Sequence, residues 1–226
     1  MTKAVSEDSS KEIKVRKKPS QPRGIKTVER ILAATRAILQ GEGVDGFTMQ
    51  KVAERLGMSK GSLYEYFPNK ESIIYLIADQ WLDSHKDNFL SNSPHEKHYD
   101  NCMAWLEQVG RGTVALYANQ PGLPEVLHVL RTSPELHQHD LKHDQFVVEQ
   151  SAEGFKYFYP DVDEVELQAL AQTLFTMSHY VLIDVYVRHV ANSEQVIKNL
   201  KFAVSALLLR LIDRERGVAF FVIRAN

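Results

Sequence analysis

Apolar positions recur at helical spacing through most of the chain. From Thr27 onward, Val28, Ile31, Leu32, Ile38 and Leu39, with Thr35 among them, repeat every three or four residues, the period of one helix face. Thr27 is placed as the cap, Glu29 falls in the first turn, and Gly41 and Gly43 end the run. Two short helices are predicted next, over 48–56 and from Ser59 to about Tyr66. Pro68-Asn69 breaks the chain, and Asn69 caps a fourth helix carrying Ile73, Ile74, Ile77, Ala78, Trp81 and Leu82. Helical periodicity resumes over 101–119 with Met103, Leu106, Val109, Val114 and Leu116, and Gln120-Pro121-Gly122 stops it. Ser133-Pro134 reads as a cap followed by proline at the first helical position, opening a helix to about Phe158. Asp161 and Glu164 have the spacing of a capping box before a helix to about Val190, and Asn192-Ser193 opens another to about Arg216. No segment reads as a strand. The apolar, β-prone residues 218–223 (VAFFVI) are assigned to no element. The expected fold class is all-α.

Composition adds little until it is divided along the chain. Of 226 residues, 44% are hydrophobic and 25% charged, the balance of a chain that buries a core in water. No apolar run has the length of a membrane span, and the N-terminal residues have no apolar stretch of the kind that directs secretion, so no membrane association is expected. A single cysteine, Cys102, rules out an intrachain disulfide and fits a cytoplasmic location. The net charge of -2 conceals an asymmetry: residues 1–72 carry 14 Lys+Arg against 9 Asp+Glu, whereas 73–226 carry 13 against 20. A polyanion attracts the first part and repels the second. Residues 1–23 lack periodicity, end in Pro19-Ser20-Gln21-Pro22 and carry Lys14, Arg16, Lys17, Lys18 and Arg23; they are expected to form a disordered basic arm.

The most informative stretch is 48–67. Its residues Ala53, Gly57 and Leu63 have the spacing of a helix-turn-helix, in which two short helices meet steeply across a turn of a few residues. Ala53 is small where the helices approach, Gly57 supplies a left-handed turn, and Leu63 packs back on Val52 and Leu56. The second helix, capped by Ser59, is too polar for a core helix. Lys60 is positioned to donate to guanine O6 and N7, and Gly61 lets the backbone come close to a base edge. Thr48, Gln50, Ser59, Ser62, Tyr64, Tyr66 and Lys70 complete the expected DNA-binding set. Thr48, Tyr64, Tyr66 and Lys70 are assigned to phosphates, which position without specifying.

Residues 27–82 resemble the DNA-binding domain of TetR-family regulators. The resemblance is carried by Ile31-Leu32-Ala33-Ala34, Gly43, Phe47-Thr48, the continuous run from Val52 to Phe67, and Asn69-Lys70-Glu71-Ser72-Ile73. It departs at Glu65, where an aromatic or small polar residue is common in the family. The resemblance implies an N-terminal helix-turn-helix domain (24–84) followed by a larger helical domain for effector binding and dimerisation (85–226). It further implies a homodimer that represses from a palindromic operator in double-stranded DNA. A small-molecule effector then changes the separation of the reading heads and releases the DNA.

The effector is not encoded in any motif. Trp105, Tyr117, Phe146, Phe175 and His179 are the candidate pocket residues, with Phe155 a further aromatic at helical spacing. For the dimer, Leu167, Leu170, Ala171, Leu174 and Met177 form one candidate stripe, and Phe202, Ala203, Ala206, Leu207 and Leu209 to Leu211 the other. No cofactor and no resident metal are expected. The histidines at 137, 139 and 143, with Asp140 and Asp144 nearby, keep a metal-dependent hydrolase as an alternative, although no nucleophile elbow, phosphate loop or His-Glu-x-x-His pair accompanies them. A non-specific architectural DNA binder is the other alternative.

Overall fold

A computed structural model describes residues 21–132 and 134–215, and among them it contains nine α-helices and no strand. In order these are α1 (Pro22–Gly46), α2 (Met49–Leu56), α3 (Lys60–Tyr66), α4 (Lys70–Leu90), α5 (Cys102–Ala118), α6 (Leu123–Thr132), α7 (Pro134–Phe158), α8 (Glu164–Tyr186) and α9 (Ser193–Glu215). The basic arm through Ser20, the cap expected at Ser133 and the VAFFVI segment lie outside the described residues.

Local chemistry accounts for the helix ends, and it corrects several expected boundaries. Helix α1 begins at Pro22 rather than Thr27, because a proline at the first position gives up an N–H that has no intrahelical partner anyway. Thr27 sits inside the helix, its hydroxyl donating to the Arg23 carbonyl at 2.9 Å. The helix passes Gly41 and turns at Gly43 (φ 69°) before ending at Gly46. Asn69 caps α4 as expected: its side chain accepts from the Ser72 N–H at 2.8 Å while the Ser72 hydroxyl accepts from the Asn69 N–H at 3.5 Å. At α8 the cap is Asp163, accepting from the Val165 N–H at 2.9 Å, in place of the box expected between Asp161 and Glu164. Helix α6 has no counterpart among the helices expected from spacing.

Two clusters of buried side chains hold the bundle. The first joins α1–α4 through Ile31, Leu32, Leu63, Phe67, Ile73 and Ile77, then continues without a break into Tyr117 of α5, Leu123, Val126 and Leu130 of α6, and Leu182 and Ile183 of α8. Gly122, just before α6, has φ 72°; a Cβ there would stand 3.0 Å from Leu39 Cβ and 3.2 Å from the Arg36 carbonyl oxygen. The start of α6 is thus pressed against α1 as closely as glycine permits. The second cluster joins Trp105 and Val109 of α5, Val148 and Phe155 of α7, Leu167, Leu170, Ala171 and Leu174 of α8, and Leu208 and Leu211 of α9.

The second cluster corrects the expected dimer stripe. Leu167, Leu170, Ala171 and Leu174 are spent on the intrachain core, because α8 must cover α7 and α5 with its most apolar face. Among the described residues, the large apolar side chains left exposed on the last two helices are Val165 and Tyr180 of α8 with Phe202 and Leu209 of α9, the last two from the second expected stripe; Val165 and Phe202 are each 77% exposed.

Candidate nucleic-acid interface and regulatory core

Helices α2 and α3 form the helix-turn-helix. Thr48 caps α2 by accepting from the Lys51 N–H at 3.2 Å. Gly57 ends it in the left-handed region (φ 63°), so that its own N–H and that of Met58 fold back on the Ala53 carbonyl, at 3.0 Å for Met58. Ser59 then caps α3, accepting from the Ser62 N–H at 3.1 Å, and the two serine hydroxyls lie 2.9 Å apart. Beneath the turn, Val52, Ala53 and Leu63 are buried and Leu56 packs against them, in the arrangement the spacing requires.

The outer face of this motif is polar and connected. Lys60 Nζ donates to Gln50 Oε1 at 2.8 Å, and Gln50 Nε2 donates to Glu54 Oε1 at 2.7 Å. Glu54 therefore fixes which way the Gln50 amide faces, and Gln50 holds the lysine that opens α3. Thr48, Gln50, Ser59, Lys60, Gly61 and Tyr64 are exposed; Ser62, Tyr66 and Lys70 are partly buried, with Tyr66 packed against the first core cluster. On the flank, Lys51 forms an ion pair with Glu42. Glu65, the departure from the family pattern, is exposed. Spacing alone did not single out Glu54 or the Lys51–Glu42 pair, because both depend on how side chains one or more turns apart meet.

The expected pocket residues divide. Trp105 belongs to the second core cluster, edge-on to Phe155 with ring centroids 5.7 Å apart, and Phe146 faces Lys86. Tyr117, Phe175 and His179 do come together: the Tyr117 hydroxyl is 2.7 Å from His179 Nδ1, and the Phe175 ring stacks on His179 at 5.5 Å. They are joined by three residues absent from the expected set. Trp81 and His85 of α4 lie edge-to-face at 4.6 Å, His85 approaches Tyr117 at 5.5 Å, and His143 of α7 lies 5.6 Å from His85. His85 and His143 are 4% and 6% exposed, and the Nε2 atom of each is buried without a hydrogen-bond partner. Burial, with lesser contributions from His143 and His179, pushes the His85 imidazolium down to about 3, so His85 is neutral at ordinary pH. The available signal was a histidine at a core position: His85 extends the buried stripe Ile74, Ile77, Ala78, Trp81 of α4 by one turn.

The three histidines weighed as metal ligands do not converge on one another. His137 is exposed, His139 Nε2 lies 2.9 Å from Asp79 Oδ1, and His143 Nδ1 lies 3.5 Å from Asp144 Oδ1. Among the described residues no group of three or more His, Cys, Asp or Glu side chains is placed to hold a metal ion. Burial pushes the Cys102 thiol up to about 12, which makes it a packing residue rather than a nucleophile. No helix of the described residues is long and apolar enough to cross a membrane.

This architecture defines a class: a helix-turn-helix reader continuous with a helical bundle. Residues 31–75 match the family model of bacterial regulatory proteins, tetR family. A 111-residue stretch is 32% identical to the HTH-type transcriptional repressor DrrR1 of Streptomyces coeruleorubidus, covering 49% of this chain and 39% of that protein. A 52-residue stretch is 38% identical to the class A tetracycline repressor protein from transposon 1721 of Escherichia coli, covering 23% of this chain and 24% of the repressor. The likeness thus spans well under half the length of these relatives. Over the whole fold the chain resembles a tetR-family bacterial regulatory protein from Rhodococcus RHA1 (TM-score 0.61, 17% identity, 80% of this chain and 97% of that one). It also resembles a TetR transcriptional regulator from Legionella pneumophila (TM-score 0.59, 15% identity, 84% and 98%). Residues 31–75 thus carry a tetR-family segment, and the fold of the described residues is one shared with these solved structures.

Proposed function

We propose that this protein regulates transcription, acting as a repressor. In this reading a homodimer places the two copies of α3 in successive major grooves of a palindromic operator, and a small molecule bound in the C-terminal helices releases it. The observation that carries the reading is α3 itself: a short helix anchored from below by Leu63, with Lys60, Gly61 and Tyr64 exposed on its outer face. Lys60 is already turned toward solvent and held by a neutral amide, so guanine can replace Gln50 as its acceptor without first breaking an ion pair. Thr48, Tyr64 and Lys70 serve phosphates, and Glu54 keeps Gln50 oriented.

The test is selection of bound fragments from genomic DNA, followed by competition between the selected site and random duplex at fixed salt. A symmetric selected site and a strong preference for it are expected; a ratio near one would favour the architectural alternative. Lys60→Ala should weaken the selected site by about 1–3 kcal/mol while changing random-sequence binding little. Equal loss on both would remove Lys60 from base reading. The hydrolase alternative gains no support from the placement of His137, His139 and His143, each of which faces different surroundings.

A further inference from the structure

Both ends of the Gln50 amide are held by neighbouring side chains, and the two neighbours leave it a single orientation. Lys60 only donates, so it takes the carbonyl, with Nζ 2.8 Å from Oε1. The Glu54 carboxylate only accepts, so it takes the amine, with Oε1 2.7 Å from Nε2. A flipped amide would set N–H groups against the ammonium and a carbonyl against the carboxylate. All three side chains are exposed on the outer face of the helix-turn-helix, and Glu54 stands one turn along α2 from Gln50. Subtracting these bonds leaves a definite remainder: Gln50 keeps one N–H and one carbonyl lone pair, and Lys60 keeps two of its three N–H groups.

We propose that Gln50 reads adenine in the operator, at the base pair next to the guanine read by Lys60, and that Glu54 is the residue that positions it. The inference rests on the operator reading above and gives it a base word. The remaining donor and acceptor select the base. In the major groove adenine presents N7 as an acceptor and the N6 amine as a donor, and one N–H with one carbonyl satisfies both. Guanine presents two acceptors, O6 and N7, for which Gln50 has a single N–H left. Thymine O4 would leave the carbonyl unused, and the cytosine N4 amine would leave the N–H unused. Distance selects the neighbouring pair: the Lys60 and Gln50 tips are 2.8 Å apart, and successive bases along a strand are about 3.4 Å apart. Once Lys60 leaves Gln50 for guanine, the bond to Glu54 is the one that still holds the amide. A carboxylate facing a polyanion weakens binding to any duplex, so Glu54 gives up general affinity in return for discrimination.

The test uses the full-length protein and the duplex selected from genomic fragments, with every single-base change made across one half-site and measured by competition at fixed salt. The unaltered protein should lose about tenfold or more for changes at one guanine and, at the adjacent pair, for changes at one adenine. Lys60→Ala should level the guanine position. Gln50→Ala should level the adenine position and leave the guanine preference in place. An adenine analogue with carbon in place of N7 should weaken binding of the unaltered protein and leave that of Gln50→Ala unchanged. Glu54→Ala should level the adenine position while binding random duplex more tightly. Glu54→Gln, whose carbonyl still accepts from Gln50, should keep the adenine preference. A merely structural Glu54 would instead lower binding to every duplex alike. The proposal is overturned by a site with no adenine beside the guanine that depends on Lys60, by an adenine preference that survives Gln50→Ala or Glu54→Ala, or by a Glu54→Ala that levels a cytosine position instead. Any of these results on a symmetric selected site overturns this inference alone and leaves the operator reading standing; a protein that selects no site overturns both.

Discussion

Gly57 sets the angle between α2 and α3, and it does so through its backbone alone. Its φ of 63° lies in the left-handed region, and no atom stands within 4 Å of the place a Cβ would occupy. Gly57→Ala therefore introduces strain without collision, and a loss of about 1–2 kcal/mol is expected in urea denaturation. A shift below a few tenths would show that the turn relaxes to another conformation, and operator affinity should then fall instead. Leu63, wholly buried on the inner side of the same motif, is the contrasting case: Leu63→Ala leaves a cavity and should cost about 2–5 kcal/mol. Both residues were legible from spacing, because the geometry of a tight helical corner restricts what can stand at each position. The orientation of Gln50 was not, since it depends on a hydrogen bond to Glu54 that the sequence pattern does not specify.

At the scale of elements, legibility followed the strength of the local signal. Caps with side-chain acceptors at Thr48, Ser59, Asn69 and Asn101 marked helix starts correctly. Helix α6 escaped because it is only ten residues long and begins beside Pro121-Gly122, which reads as a stop; yet Leu123, Val126, Leu127 and Leu130 have a full helical stripe and are all buried. Of the aromatic and histidine cluster around His85, Tyr117, Phe175 and His179 were grouped from the sequence and Trp81, His85 and His143 were not, because a packed α4 stripe gives no sign of what faces it. His85 makes this element sensitive to acid. Its folded-state value is depressed to about 3, so below the ordinary histidine range the unfolded chain binds a proton that the folded chain refuses. Stability is then fully present above about pH 6.5 and falls on acidification toward pH 3, by up to about 1.4 kcal/mol per pH unit from this group. His143, His179 and Tyr117 face it, and Asp144 lies behind His143. His85→Leu should flatten the stability profile between pH 6.5 and 4; an unchanged slope would assign the acid sensitivity elsewhere.

For the whole molecule, the first core cluster runs without a break from the helix-turn-helix into the bundle. Leu123, Val126 and Leu130 of α6 share a core with Ile31 and Leu32 of α1, and Gly122 abuts the Arg36 carbonyl, so α6 and α1 are packed directly on each other. In the proposed homodimer, the other surface of the bundle is what remains for a second copy. Phe202 and Val165 are each 77% exposed, Leu209 53% and Tyr180 51%, on helices whose opposite faces are already committed to the second core cluster. Large apolar side chains gathered on two neighbouring helices mark an association surface more often than a solvated one. Phe202→Glu combined with Leu209→Glu should leave the thermal unfolding of the single chain nearly unchanged, because neither side chain is part of its core. The same pair should convert a dimer to a monomer in sedimentation velocity. Since one head must then bind alone, affinity for a two-fold operator should drop by about a hundredfold or more, with little change on a half-site. Leu174→Ala serves as the opposite control: it lies inside the core, so it should lower the unfolding temperature without monomerising the protein. A double variant that still sediments as a dimer would move the interface to another face and, with it, the spacing of the two α3 helices.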